Sequence, residues 1–191
     1  MSQPLRLGIA GLGTVGVGVV KIIRQQAALL KARTGRDITI SAVSARTKDR
    51  DRGVSLAGYA WEDDPVALAT RDDVDVFVEL MGGADGPAKA ATEAAIAAGK
   101  HVITANKAML AMYGHPLALA AEAKGVSLRF EAAVAGGIPV IKALTEGLAG
   151  NQITRVMGVM NGSCNYILTR MEDSGLSYQA IFAEADGLGY L

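Results

Sequence analysis

The densest chemical signal in the sequence is Gly11-Leu12-Gly13-Thr14-Val15-Gly16. This G-x-G-x-x-G run is entered from the apolar stretch LRLGIAG and left through VGVGVVKIIRQQAALLKAR. Between a strand and a helix, such a loop suits the pyrophosphate of a dinucleotide. Gly11 permits the tight turn, Gly13 lets the main chain approach phosphate, and Gly16 lets the helix lie close on the strand. The helix start adds N–H groups and the positive end of the helix dipole. The choice of dinucleotide turns on the end of the second strand, where an acidic residue binds the ribose 2′-OH and a cationic one suits a 2′-phosphate. Asp37 has about the expected ~20-residue spacing from the loop, but it precedes the strand ITISAV and so lies at the wrong end. The far end carries Ser44 and Arg46, with Lys48 and Arg50 close behind. This cationic end favours NADP(H), with NAD(H) left open.

Lys107 is the next candidate. It follows the apolar stretch HVITA, at a strand end, where open α/β sheets place their ligands. An ammonium there can polarise a carbonyl, stabilise a developing alkoxide or contact a cofactor. Cys164 is the only cysteine and invites a nucleophile reading, but no base neighbours it in sequence and it reads as a packed small residue. Met157, Met160 and Met171 read as core. His101 and His115 are too few and too isolated to suggest a zinc site.

These residues need a scaffold, and the pattern supplies one. Strands are expected in LRLGIAG, DITISAV, VDVFVEL, HVITA and VSLRFEA. Helices are expected in residues 15–33, after the N-cap Asp64 with Pro65, in GPAKAATEAAIAAG and in HPLALAAEAKG. Alternation of this kind gives βαβ units with right-handed crossovers, hence a parallel, doubly wound sheet. After about residue 135 the pattern changes to a helix through GGIPVIKALTEGLAG, a strand QITRVMGVM, a helix NGSCNYILTRMEDSG and a last helix capped by Ser177. The expected class is α/β: a Rossmann-type sheet over 1–135, followed over 136–191 by the beginning of an α+β substrate and dimerisation domain. The 191 residues carry no formal net charge, which argues against nucleic acid or an anionic membrane as the main partner. No apolar run is long enough to span a bilayer, and the start of the chain lacks the features of a secretory signal. A cytoplasmic setting is expected.

Four stretches narrow the reading. VFVELMGG (76–83), GKHVITANKAMLA (99–111), FEAAVAGGIPVI (130–141) and GVMNGSCNYILTRM (158–171) together closely resemble homoserine dehydrogenase, in order and spacing across almost the whole chain. Sugar and inositol dehydrogenases of similar layout usually carry Glu-Lys-Pro after the GKHV strand, where this chain has Ala105-Asn106-Lys107. The resemblance implies NAD(P)-dependent interconversion of L-homoserine and L-aspartate 4-semialdehyde, on the route from aspartate to threonine, methionine and isoleucine. It implies Lys107 as the catalytic lysine, with Gly82, Gly83, Thr104, Ala105 and Asn106 on the nicotinamide side. It also implies a monovalent cation (Na+) held by the Glu131 carboxylate and the carbonyls of Val134, Gly136 and Ile138; the other role open to Glu131 is to cap backbone N–H groups. A homodimeric full-length protein is implied as well. Because the family continues beyond the stretch ADGLGYL with further substrate-binding and proton-transfer groups, a truncated form is expected. The alternative is a non-catalytic NADP-binding module or subunit.

Overall fold

A computed structural model describes residues 3–189. The chain divides into two compact units, Met1–Gly147 and Leu148–Leu191. The first is built on a six-stranded sheet: β1 (Leu5–Ala10), β2 (Ile38–Ser44), β3 (Ala60–Trp61), β4 (Val76–Glu79), β5 (His101–Thr104) and β6 (Leu128–Arg129). The strand order is β3-β2-β1-β4-β5-β6, and every pairing is parallel. The order reverses direction between β1 and β4, which opens a crevice at their C-terminal ends.

The helices follow the strands. They are α1 (Thr14–Gln25), α2 (Ala27–Thr34), α3 (Pro65–Thr70), α4 (Pro87–Ala97) and α5 (Lys107–Ala123), then the short α6 (Glu131–Val134) and α7 (Val140–Lys142), which runs on into a π-helical turn at Ala143–Gly147. One helix was expected over 15–33. The structure breaks it at Gln26, whose φ of −106° and ψ of 16° leave the helical region. α5 begins eight residues before the expected start at His115, because the Asn106 side chain caps it by accepting the Met109 N–H at 3.0 Å. The strand expected in VSLRFEA shortens to Leu128–Arg129, and its end turns into α6.

Two apolar layers hold the sheet. On one face Ala10, Ala42, Phe77 and Val102 meet Leu68 and Ala69 of α3, Ala88, Ala91, Ala95 and Ile96 of α4, and Met109, Leu117 and Ala121 of α5. The alanine stripe of α4 recurs at helical spacing and lets that helix lie close to its neighbours. On the other face Leu7, Ile9, Ile40, Val43, Val76 and Val78 pack with Leu12 and Val20. Ile40 and Val43 share this face although they stand an odd number of positions, three, apart. A register irregularity between β1 and β2 inserts one extra residue between Ile40 and Ala42, and a bulge of that kind shifts the alternation.

The second unit, described by itself, consists of α8 (Gly162–Ser174) and α9 (Tyr178–Gly187) preceded by an irregular segment. Gly175, at φ 69°, closes α8, and Ser177 caps α9 as expected. Ile167, Ile181 and Ala185 form its core with Tyr166 and Met171. The Glu184 carboxylate accepts from Arg170 Nε at 3.0 Å and NH2 at 3.1 Å, and from the Tyr166 hydroxyl. These bonds, Arg170's first, hold the Glu184 carboxyl below its ordinary range. Two expectations are corrected here. QITRVMGVM is not a strand: residues 152–160 carry no regular structure, since an alternating pattern becomes a strand only when a neighbour pairs with it. Met157 and Met160 are therefore not core, with about three quarters of their surface exposed (77% and 76%). The expectation attached to the last residues of ADGLGYL falls on Tyr190 and Leu191, outside the described residues.

At the N-terminal edge of the sheet Arg6 grips Asp75. Its backbone N–H and Nε donate to Oδ2 at 2.9 and 3.1 Å, and NH2 donates to Oδ1 at 2.7 Å. The Arg6 hydrogen bond pulls the Asp75 carboxyl below the ordinary carboxylate range. A carboxyl depressed in the folded state stabilises above its unfolded pKa of about 4, and that contribution fades as pH falls through the folded value. Urea midpoints should therefore drop between about pH 7 and about pH 3 less steeply in Asp75→Asn than in the parent.

Candidate functional site

At the crevice between β1 and β4 the main chain is crowded. Gly11 has φ of 97°, and a Cβ there would stand 2.3 Å from the Leu80 carbonyl oxygen. A Cβ on Gly16 would stand 1.9 Å from the Gly11 carbonyl oxygen. Only glycine fits either position, so the loop brings α1 directly onto the ends of β1 and β4. At Gly13 the reverse holds, because a Cβ would meet nothing within 4 Å. A cavity of about 500 Å³ opens there, lined by Gly11, Leu12, Gly13, Ser44, Arg46 and Gly82, among others.

Some helix starts carry a side-chain cap and others do not. Asp64, Asn106, Asn161 and Ser177 cap α3, α5, α8 and α9 with their side chains. The N-caps of α1 and α4 are Gly13 and Gly86, which have no side chain to offer. Gly13 lines the cavity, as do Pro87 and Ala88 at the start of α4. The α1 start thus offers N–H groups at the cavity without a built-in acceptor, the arrangement that binds phosphate; α4 opens on Pro87, which has no N–H, and α3, whose Pro65 also lines the cavity, is capped by Asp64.

The far wall is basic. Arg46, Thr47, Arg50 and Arg52 line it. Arg52 is committed to shaping the loop: it donates to the carbonyls of Thr47, Lys48 and Arg50 and lies 5.6 Å over the Trp61 ring. Trp61 Nε1 in turn donates to Asp63 at 2.7 Å. Among the described residues neither Arg46 nor Arg50 takes part in an ion pair. Both are exposed and line the cavity, as does Asp63.

The strand ends of β4 and β5 form another rim. Glu79 is completely buried. Its Oε1 accepts the N–H groups of Met81 at 2.7 Å and Gly82 at 3.2 Å, and its Oε2 accepts the Thr104 hydroxyl at 2.5 Å. Thr104 Oγ1 accepts the Asn106 N–H at 3.0 Å, and Asn106 Nδ2 donates to the Gly83 carbonyl at 2.7 Å. Nearby, the Tyr113 hydroxyl of α5 donates to Asp85 at 2.5 Å. That bond pushes the Tyr113 hydroxyl above its ordinary range and ties the loop before α4 to α5.

The structure thus gathers Gly11, Leu12, Gly13, Arg46 and Gly82 around the cavity. Gly16 is buried beneath the loop, while Thr14 and Val15 are exposed on the first turn of α1. Lys48 does not line the cavity and contributes a carbonyl to Arg52. Gly83, Thr104 and Asn106 belong to the hydrogen-bonded rim. Lys107 is exposed in the first turn of α5, directly after that rim and outside the cavity lining. Arg52, Trp61 and Glu79 escaped the sequence reading. The one available signal was a single acid in the otherwise apolar VFVEL.

Glu131 takes the capping role. Its two carboxylate oxygens accept the N–H groups of Ile141 and Lys142, each at 2.9 Å, and the Ile138 carbonyl accepts from Val140 at 2.8 Å. Among the described residues no group of three or more His, Cys, Asp or Glu side chains could hold a metal. Cys164 is exposed, which corrects its reading as a packed residue; the residues of α8 that pack against α9 are Tyr166, Ile167 and Met171.

Two family models match the chain, one described as the NAD binding domain of homoserine dehydrogenase over residues 11–131 and one as homoserine dehydrogenase over 139–191. A homoserine dehydrogenase of Neisseria gonorrhoeae is 46% identical over 188 residues, covering 98% of this chain and 43% of the relative. The solved structure of a homoserine dehydrogenase from Thiobacillus denitrificans superposes with a TM-score of 0.85 at 42% identity, covering 99% of this chain and 44% of that one. A hyperthermophilic archaeal homoserine dehydrogenase in complex with NADPH gives a TM-score of 0.78 at 25% identity, over 98% of this chain and 62% of that one. The chain thus spans less than half the length of the first two.

Gly16→Ala should abolish dinucleotide binding and lower the thermal midpoint, because the added methyl must push α1 off the Gly11 carbonyl. Gly18→Ala, two residues on, where a Cβ meets nothing within 4 Å, should leave both readings near the parent's. Calorimetry and NADPH fluorescence titration check the pair.

Proposed function

The chain belongs to the homoserine dehydrogenase family, and from that premise we propose that the protein interconverts L-homoserine and L-aspartate 4-semialdehyde with NADP(H). The observation that carries the reading is the cavity where a glycine loop, the uncapped start of α1 and two arginines outside any ion pair meet. These residues fit a phosphorylated dinucleotide. Gly13 leaves room for the pyrophosphate, the α1 start supplies N–H donors, and Arg46 and Arg50 supply charge for a 2′-phosphate.

The bound nicotinamide supplies or accepts the hydride. In the reducing direction the hydride adds to the aldehyde carbon, the carbonyl π electrons move to oxygen, and that oxygen takes a proton. The reverse reaction removes the hydroxyl proton and the carbon-bound hydride. Lys107 is the residue of this chain proposed to face the oxygen, where its ammonium would stabilise developing negative charge. Gly82, Gly83, Thr104 and Asn106 would hold the nicotinamide side. A functional boundary near 135/136 is supported by the gap between the two family models. The compact units meet later, at 147/148, because Glu131 and Arg129 bind the segment that follows: Arg129 NH1 donates to Glu146 at 3.1 Å. A homodimer and a cytoplasmic location are proposed from the family resemblance; among the described residues no helix is long and apolar enough to cross a membrane.

The test is turnover. The protein with L-homoserine and NADP+ should generate NADPH, and Lys107→Ala should lower kcat by about 100-fold, the size expected for losing one charge-stabilising group. Saturable NADPH binding without turnover would fit both the truncated form and the non-catalytic module, whereas turnover would exclude the module. Arg46→Glu should weaken NADPH by about tenfold or more while changing NADH little, since a charge-assisted phosphate contact is lost and replaced by repulsion. Equal effects on both cofactors would remove Arg46 from the 2′-phosphate role.

A further inference from the structure

We propose that Glu79 is a positioning residue that sets the nicotinamide end of the dinucleotide site, an inference that rests on the dinucleotide reading above. Burial of a carboxylate is costly unless its oxygens are hydrogen-bonded. Glu79 has no accessible surface and ends a strand whose other members are Val76, Phe77 and Val78. Packing alone asks for an apolar residue at this position, as at its neighbour Ala10 across the β1–β4 pair.

The acid is explained by its partners. Two of the three donors, the N–H groups of Met81 and Gly82, lie in the loop after β4, and the third is the hydroxyl of Thr104, the residue paired with Glu79 where β4 and β5 end. Because Thr104 Oγ1 accepts the Asn106 N–H, its proton is directed to Glu79. Asn106 then closes the circuit by donating to the Gly83 carbonyl. Gly82, Glu79, Thr104, Asn106 and Gly83 thus form one hydrogen-bonded ring across two strand ends. The Glu79 backbone adds to it, accepting the Ala105 N–H at 3.2 Å. One buried side chain therefore sets the path of the glycine loop after β4 and the start of α5, where Lys107 stands. Glu79 acts through these groups and touches no reacting atom. A neutral acceptor of the same shape serves the two N–H groups but presents an amide in place of an oxygen to the Thr104 hydroxyl, and it weakens every bond made by the charge.

Two probes separate this role from a merely structural one: NADPH, which occupies both ends of the site, and adenosine 2′,5′-bisphosphate, which occupies the adenosine end. Glu79→Gln should weaken NADPH by about tenfold, as expected for degrading charged hydrogen bonds, and leave the bisphosphate unchanged within about twofold. Equal losses for both probes, or no loss for either, would overturn the proposal. Should Glu79→Gln fail to fold, Thr104→Val breaks the same ring at one hydroxyl and is read with the same probes and criteria. Thr104→Ser, which keeps the hydroxyl, should restore binding; failure to restore it counts against the ring. A parent protein that binds neither probe would refute the dinucleotide reading itself, and this inference with it.

Discussion

The close passage of three pieces of main chain at the β1–β4 crevice is the constraint on which the site depends. Gly11 lies against the Leu80 carbonyl, and Gly16 lies against Gly11. Contacts this short exclude every side chain, so the two glycines fix where α1 begins relative to the sheet. The position of α1 then fixes the cavity. Its uncapped N-terminus opens beside Gly13 instead of being screened by a capping side chain. The reversal of strand order between β1 and β4 supplies the gap into which this arrangement fits.

Around that constraint the chain divides its polar groups into two kinds. Some are consumed by the fold. Arg6 and Asp75 bind each other, Arg71 engages Asp73 and Glu62, and Asn106 caps α5. Others are left facing the cavity, notably Arg46, Arg50 and the N–H groups at the start of α1. Arg52 belongs to the first kind although it lies among the second. By gathering three carbonyls of its own loop and stacking on Trp61, it determines how the other two arginines are displayed. A loop without regular structure thereby holds a defined shape.

The two units are stabilised differently. The first has two apolar layers, one on each face of a parallel sheet, which is why its strands read as continuous apolar runs. The second has a small core of Ile167, Ile181 and Ala185 and a carboxylate shared by Arg170 and Tyr166. Its preceding segment carries the alternating pattern of a strand, yet it leaves Val156, Met157, Val159 and Met160 largely exposed. The pattern records a preference for pairing; pairing itself requires an edge, and among the described residues none meets it.

The sequence by itself determined the features whose causes lie within a few residues. The G-x-G-x-x-G turn, the caps at Asp64 and Ser177, and the βαβ alternation were all legible, because each depends on local sterics or on hydrogen bonds that reach only a few positions. Tertiary structure alone decided that Arg50 and Arg52 rather than Lys48 line the cavity, that Glu131 caps two N–H groups ten and eleven residues away, and that residues 152–160 form no strand. It also decided the partners of Glu79, one of which, Thr104, stands 25 residues away. These outcomes depend on which distant segments meet, and a side-chain type announces its capacity to bond without specifying the group that will be there to accept.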